Sequence, residues 1–230
     1  MRAAIITMNE ALSNQALLRL MSWMSPSFPV GAFAYSHGLE KAVDGGWISN
    51  VQDLQDWLTD LMTVGSAWND AILLAESWRR ARLDDDLAEL AELGEALAAT
   101  GERHLETMKQ GAAFLDAASA WPSPVFDQLP GRCPLPVAVG AVAGAGGIPL
   151  NPAVTAYLHA FTANLVQASL RLMSLGQRDG VKVLAALENA IARTAEQASG
   201  TSIDELGSAT FLSEIASMNH ETQRSRIFRS

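Results

Sequence analysis

Apolar residues recur at three- and four-residue steps along most of this chain, the period of a helix with one side against a core. The pattern predicts helices and little else. A first helix carries Leu17, Leu18, Leu20, Met21 and Met24 and stops near Ser25, because Pro26 disfavours helical geometry in the residue before it. A loop over 25–30 follows. A short helix with Leu39, Ala42 and Val43 ends at Gly45-Gly46, where glycine can take the left-handed conformation that closes a helix. Asn50 is placed to cap the next, whose stripe is Leu54, Trp57, Leu58, Leu61 and Met62, with Asp53 near the positive end of the dipole. Gly65 bends or ends it, and another helix runs from Ala67 past Trp78.

The run Asp84-Asp85-Asp86 reads as dipole partners opening a helix and facing water. Two amphipathic stretches, Leu87 to Leu97 and Leu105 to Leu115, are separated by Gly101. Closely spaced prolines make Trp121 to Pro136 a long connection between two halves of one bundle. Between Arg132 and Arg171 there is no Asp, Glu, Lys or Arg. Pro149, Pro152, His159, Asn164 and Gln167 interrupt that stretch, so a membrane span, which needs about 20 mainly apolar residues, is a poor fit. A buried core helix with a subunit or partner contact on its outer face fits better. Helices over about 178–198 and 206–218 complete an all-α, single-domain bundle of about eight to ten helices spanning 1–230. Residues 220–230 read as a flexible end.

Composition sharpens this picture. Of 230 residues, 49% are hydrophobic and 18% charged, below the roughly 25% charged that is usual, so much surface is hidden and oligomerisation or a partner is expected. The charge-free segment points to a homodimer. A net charge of -9 argues against binding nucleic acid through its phosphates. One cysteine, Cys133, excludes an internal disulfide and suggests a reducing compartment, hence the cytoplasm. The apolar run within Met1 to Glu10 is too short for a signal peptide.

Spacing signatures of catalysis and metal binding are missing: there is no HExxH, no CxxC and no Glu-x-x-His. The segment Gly140 to Gly147 is glycine-rich but lacks the GK[ST] ending of a phosphate cradle, and its spaced small residues serve equally for close helix approach. The elbow GxSxG is absent at Ser36, where Ala34 stands two residues earlier. The alternative to a binding protein is an enzyme whose pocket is built from His37, Glu40, His104 and Glu106.

Two stretches are more specific than periodicity. Residues Pro29-Val30-Gly31-Ala32-Phe33-Ala34-Tyr35-Ser36-His37-Gly38-Leu39-Glu40 match P-x-G-x-[FY]-x-x-S-x-G-L-E, and the ending from His220-Glu221 through Arg226-Ile227-Phe228-Arg229-Ser230 matches H-E-x-x-x-[ST]-R-[LI]-[FY]-x-S. Between them lie Glu106-Thr107-Met108-Lys109-Gln110-Gly111, matching E-T-x-x-Q-G, and the turn Leu175-Gly176-Gln177. In these motifs and their order the chain resembles the urease accessory protein UreF family over nearly its whole length. The resemblance implies a dimerising helical protein that joins UreD (UreH in some bacteria) into a platform for the GTPase UreG and the urease apoprotein, so that nickel reaches the urease active site. Such a protein catalyses nothing and binds no cofactor or metal itself; nickel and GTP are handled by its partners. The resemblance places Phe33, Tyr35, Ser36, Gly38 and Glu40 towards the GTPase, and His220, Glu221, Arg226, Phe228 and Arg229 in the UreD-facing tail. Glu106, Thr107, Gln110 and Gly111 form the family's central motif. The chain departs from the family pattern at Ala209-Thr210-Phe211, where many relatives have proline.

Overall fold

The structure, a computed structural model, describes residues 11–230; the reading of Met1 to Glu10 lies outside them. The helices are α1 (Asn14–Trp23), α2 (Leu39–Asp44), α3 (Val51–Val64), α4 (Ser66–Leu83), α5 (Ala88–Ala96), α6 (Gly101–Ala118), α7 (Val125–Gln128), α8 (Leu135–Ala145), α9 (Leu150–Leu172), α10 (Gln177–Gly200) and α11 (Phe211–His220). Short 3₁₀ turns occupy Ala32–Ala34 and Ile203–Glu205. No strand occurs among the described residues, and the all-α expectation holds.

Local chemistry sets many of the boundaries. The Asn50 side chain accepts from Gln52 N–H at 2.8 Å and Asp53 N–H at 3.1 Å, which starts α3. Thr100 does the same for Arg103 N–H at the start of α6. The aspartate run faces water as expected, with Asp86 accepting Ala88 N–H at 2.9 Å at the start of α5, and Asp84 has a further role, closing α4 in a left-handed conformation, φ 61°. The last helix starts later than the sequence suggests. Its link is held where Ala209 N–H donates to Val64 O at 2.8 Å, and Leu206 stays outside it.

The charge-free segment is the core. From Pro136 to Gly144 every residue of α8 is buried, chiefly against α4 and α6. Gly140 and Gly144 explain how close that approach is: a Cβ at Gly140 would lie 2.3 Å from Leu74 O, and one at Gly144 2.5 Å from Trp78 O. Residues 140–144 of the glycine-rich segment are therefore a packing surface inside the bundle. Two polar groups in this contact are matched, since Ser77 Oγ donates to Val137 O and Trp78 Nε1 donates to Ile148 O, both at 2.7 Å. The chain's own helices cover α8, whereas α9, the second half of the charge-free stretch, keeps part-exposed residues along its length. Among the described residues no helix is long and apolar enough to cross a membrane.

The apolar stripe of α1 is only half used. Ala16, Leu20 and Trp23 are buried, whereas Leu18 and Met21 are 64% and 63% exposed.

Candidate functional site

The three motifs, far apart in sequence, meet at one junction where residues 221–230 lie against α2, α6 and α9. The first motif is shaped by backbone conformation. Gly31, His37 and Gly38 all have φ near +60 to +77°, and His37 is one of two described non-glycine residues there. Gly38 also admits α11: a Cβ would come 3.0 Å from Ser217 N, so α2 and α11 touch through it. The two left-handed residues turn the chain so that Ser36, His37 and the first turn of α2 face the ending.

Each of these groups then holds the last residues. Ser36 donates to Ser230 O through both its N–H and its Oγ, and His37 N–H donates to Ser230 Oγ at 3.2 Å. Arg229 N–H donates to Ala34 O at 2.8 Å. The Glu40 carboxylate accepts Ile227 N–H at 2.8 Å and Phe228 N–H at 2.9 Å, one on each oxygen. Ionised acceptors make such bonds short and strong, and here they satisfy two backbone donors that have no helix or strand partner.

The helix α6 supplies a second carboxylate pair. Glu102 accepts from Arg226 Nη1 at 2.7 Å and lies 2.7 Å from His220 Nδ1, while His220 Nε2 lies 3.2 Å from Glu40. Glu106 accepts Ser230 Oγ at 3.0 Å and Arg103 Nη1 at 2.8 Å. Burial alone would raise the Glu106 carboxyl, but the Arg103 guanidinium, with the bond donated by Ser230, brings it down to about 2. His37 is lowered to about 4 by burial and by Arg103, so it is neutral at pH 7. Arg103 Nη1 can only donate, so His37 Nδ1 accepts from it and Nε2–H donates to Ser66 Oγ. Its 3.7 Å approach to Glu106 is thus not an ion pair at neutral pH.

An aromatic stack closes the junction. The Arg171 guanidinium lies 3.7 Å from the Phe33 ring and 4.0 Å from the Phe228 ring, so one cation on α9 contacts both the first motif and the ending. The end expected to be loose is packed in this structure: Phe228 and Ser230 are buried, and Glu221 accepts Gly101 N–H at 2.9 Å.

Among the residues expected to face partners, exposure is uneven. Phe33 is 66% exposed, while Tyr35, Ser36, Gly38 and Glu40 are buried, Ser36 and Glu40 bonded to the ending. In the tail Glu221, Arg226 and Arg229 are exposed and His220 is not. The central motif divides its work. Glu106 belongs to the junction, with Gln110 Nε2 donating to it at 3.4 Å. Thr107 Oγ1 accepts Leu135 N–H at the start of α8, and a Cβ at Gly111 would come 1.9 Å from Cys133 O. The His37, Glu40, His104 and Glu106 pocket does not form. His37 and Glu106 meet, but Glu40 is occupied by tail amides and His104 pairs with Glu95 at 2.7 Å where α5 meets α6. Arg103 and Arg171, central to the junction, were not legible as site residues. Their only signals were a position three residues before Glu106 and one at the end of the charge-free stretch. Cys133 is buried, its thiol pushed up to about 12 by burial, which makes it unreactive.

What these contacts define is an all-helical protein whose buried charges order its own backbone and leave an apolar surface outside. The family model of UreF matches residues 48–188. The chain is 55% identical to urease accessory protein UreF 1 of Brucella anthropi over 98% of its length and 99% of the relative's. It is 57% identical to UreF 1 of Brucella canis, with 94% of both chains covered, and 54% identical to UreF of Mesorhizobium japonicum, with 97% and 100% covered. The chain belongs to the UreF family of urease accessory proteins.

Proposed function

We propose that this chain is a cytoplasmic scaffold that joins UreD (UreH) and the GTPase UreG to the urease apoprotein for nickel insertion, without catalysing a step itself. The observation that carries the reading is the meeting of three motifs at one junction bordered by exposed apolar side chains. On α11, Phe211, Leu212, Ile215 and Met218 are 72%, 58%, 41% and 50% exposed, and Ile227 of the ending is 64% exposed. Aromatic and aliphatic groups of this kind beside arginines are what protein interfaces use as anchors. UreD is assigned to this α11–tail face. The ring of Phe33 is the part of the first motif open to UreG; Tyr35, Ser36, Gly38 and Glu40 serve that contact by fixing the surface from beneath. A second copy is assigned to the outer face of α1, with Leu17, Leu18 and Met21.

Co-purification tests this. Removal of residues 221–230 is expected to abolish association with UreD, and Phe33→Ala to weaken recruitment of UreG while UreD stays bound. Unchanged association after the truncation overturns the role given to the tail.

A further inference from the structure

Apart from the junction, a cavity of about 180 Å³ opens between α4, the turn joining α5 to α6, and the start of α11. Its wall carries two carboxylates for which the described residues supply no cation in contact. Asp70 on α4 accepts Tyr157 Oη at 2.8 Å. Glu214 on α11 has no side-chain hydrogen bond or ion pair among the described residues. Arg103 also borders the cavity and favours the charged form of both, but its Nη1 is bonded to Glu106 and His37 and it does not offset their burial. With His37 neutral, three carboxylates stand against one guanidinium. Burial raises Asp70 to about 6 and raises Glu214 too, the sign of anions held away from water without sufficient compensation.

The rest of the lining says what kind of cation fits. Leu73, Leu97 and Ala98 give aliphatic wall, and no group of three ligating side chains suited to a metal ion occurs among the described residues. Lysine and arginine match a lining of this kind, because their stems pack on apolar surface while the head reaches a carboxylate. Phe211, which borders the cavity, also begins the exposed stripe of α11, so a protein lying on that stripe passes the opening. We propose that this cavity receives one lysine or arginine side chain of the protein docked on α11, its charged head set against Asp70 and Glu214. The proposal rests on α11 being the docking face.

The test uses the full chain and purified UreD from the same host, titrated by calorimetry. The pair D70N with E214Q keeps shape and hydrogen-bonding capacity but removes both charges. It is expected to weaken binding roughly thirtyfold or more, the scale for a desolvated charge pair that loses one side. Its melting temperature is expected to stay equal or rise, since two carboxylates that burial disfavours as anions lose their charge. Ile215→Asp, on the exposed stripe, tests the face itself. If Ile215→Asp abolishes binding and the double variant binds like the parent, the cavity proposal is wrong and the docking face stands. If Ile215→Asp also binds normally, the docking face falls and takes the proposal with it. Loss of affinity together with a lowered melting temperature assigns Asp70 and Glu214 a structural role and overturns it as well.

Discussion

The contact between α4 and α8 and the junction that holds residues 221–230 join parts of the same chain by opposite means. At α4–α8 the backbones approach through Gly140 and Gly144, the surrounding side chains are apolar, and two hydrogen bonds match the polar groups. At the junction Glu40, Glu102 and Glu106 face backbone amides, His220, Arg226, Arg103 and Ser230. Close apolar packing depends on shape and is nearly indifferent to pH and salt. Buried carboxylates are strong only while ionised and fully partnered, and leaving their partners bare is costly. The first kind of contact suits a permanent core. The second suits a segment that must take one arrangement yet remain able to respond to what binds next to it.

The sharpest way to break this contrast is to crowd the core. Gly140→Val places a branched side chain where even a Cβ would be 2.3 Å from Leu74 O, and should cost about 3 kcal/mol or more, read from urea denaturation. A loss under about 1 kcal/mol would mean that α8 can slide on α4 and that the contact is not shape-limited. A smaller and more local effect is expected at the junction. Glu40→Ala leaves Ile227 and Phe228 N–H without acceptors and should cost about 2 kcal/mol, with faster hydrogen exchange at those two amides and none of that change in α8. Equal acceleration in both regions would show that the ending and the core unfold as one unit.

Acid should separate the regions more gently still. His37 is depressed from 6.5 to about 4, so its neutral, hydrogen-bonded state contributes stability present above pH 6.5 and lost as pH falls towards 4. Glu106 is depressed from 4.5 to about 2, so its contribution is present above pH 4.5 and lost as pH falls towards 2. Asp70, raised from 3.8 to about 6, works in the opposite direction: the stability it allows below pH 3.8 is lost as pH rises through 6. The expected net change is on the order of 1–2 kcal/mol on going from pH 7 to pH 4, since the shifts partly oppose and the sites are coupled. Amides of 227–230 should lose protection before those of α8, and simultaneous loss would argue that the junction carries no separate acid sensitivity.

Particular residues show why some of this was readable and some was not. Asn50 marks a helix start by bonds to amides two and three residues on, and such a signal survives in any tertiary setting. The resemblance picked out the motifs that form the junction, but reading their residues as contacts for other proteins left out that Ser36 and Glu40 bond to this chain's own ending. Glu40 and Phe228 are 188 positions apart, and neither carries a local mark of the other. The charge-free segment was readable as buried surface; that α4 and α6 cover its first half was not.

By itself, then, the order of residues determined many helix boundaries, that the greasy sides of the helices need covering, and which family's motifs the chain carries, because capping, periodicity and turn chemistry act over a few residues. Only tertiary structure decided which surfaces cover one another, why Gly111, Gly140 and Gly144 can have no side chain, and that three carboxylates on α2 and α6 grip the ending. Those outcomes depend on distances between segments far apart along the chain, and a distance of that kind exists only once the bundle has closed.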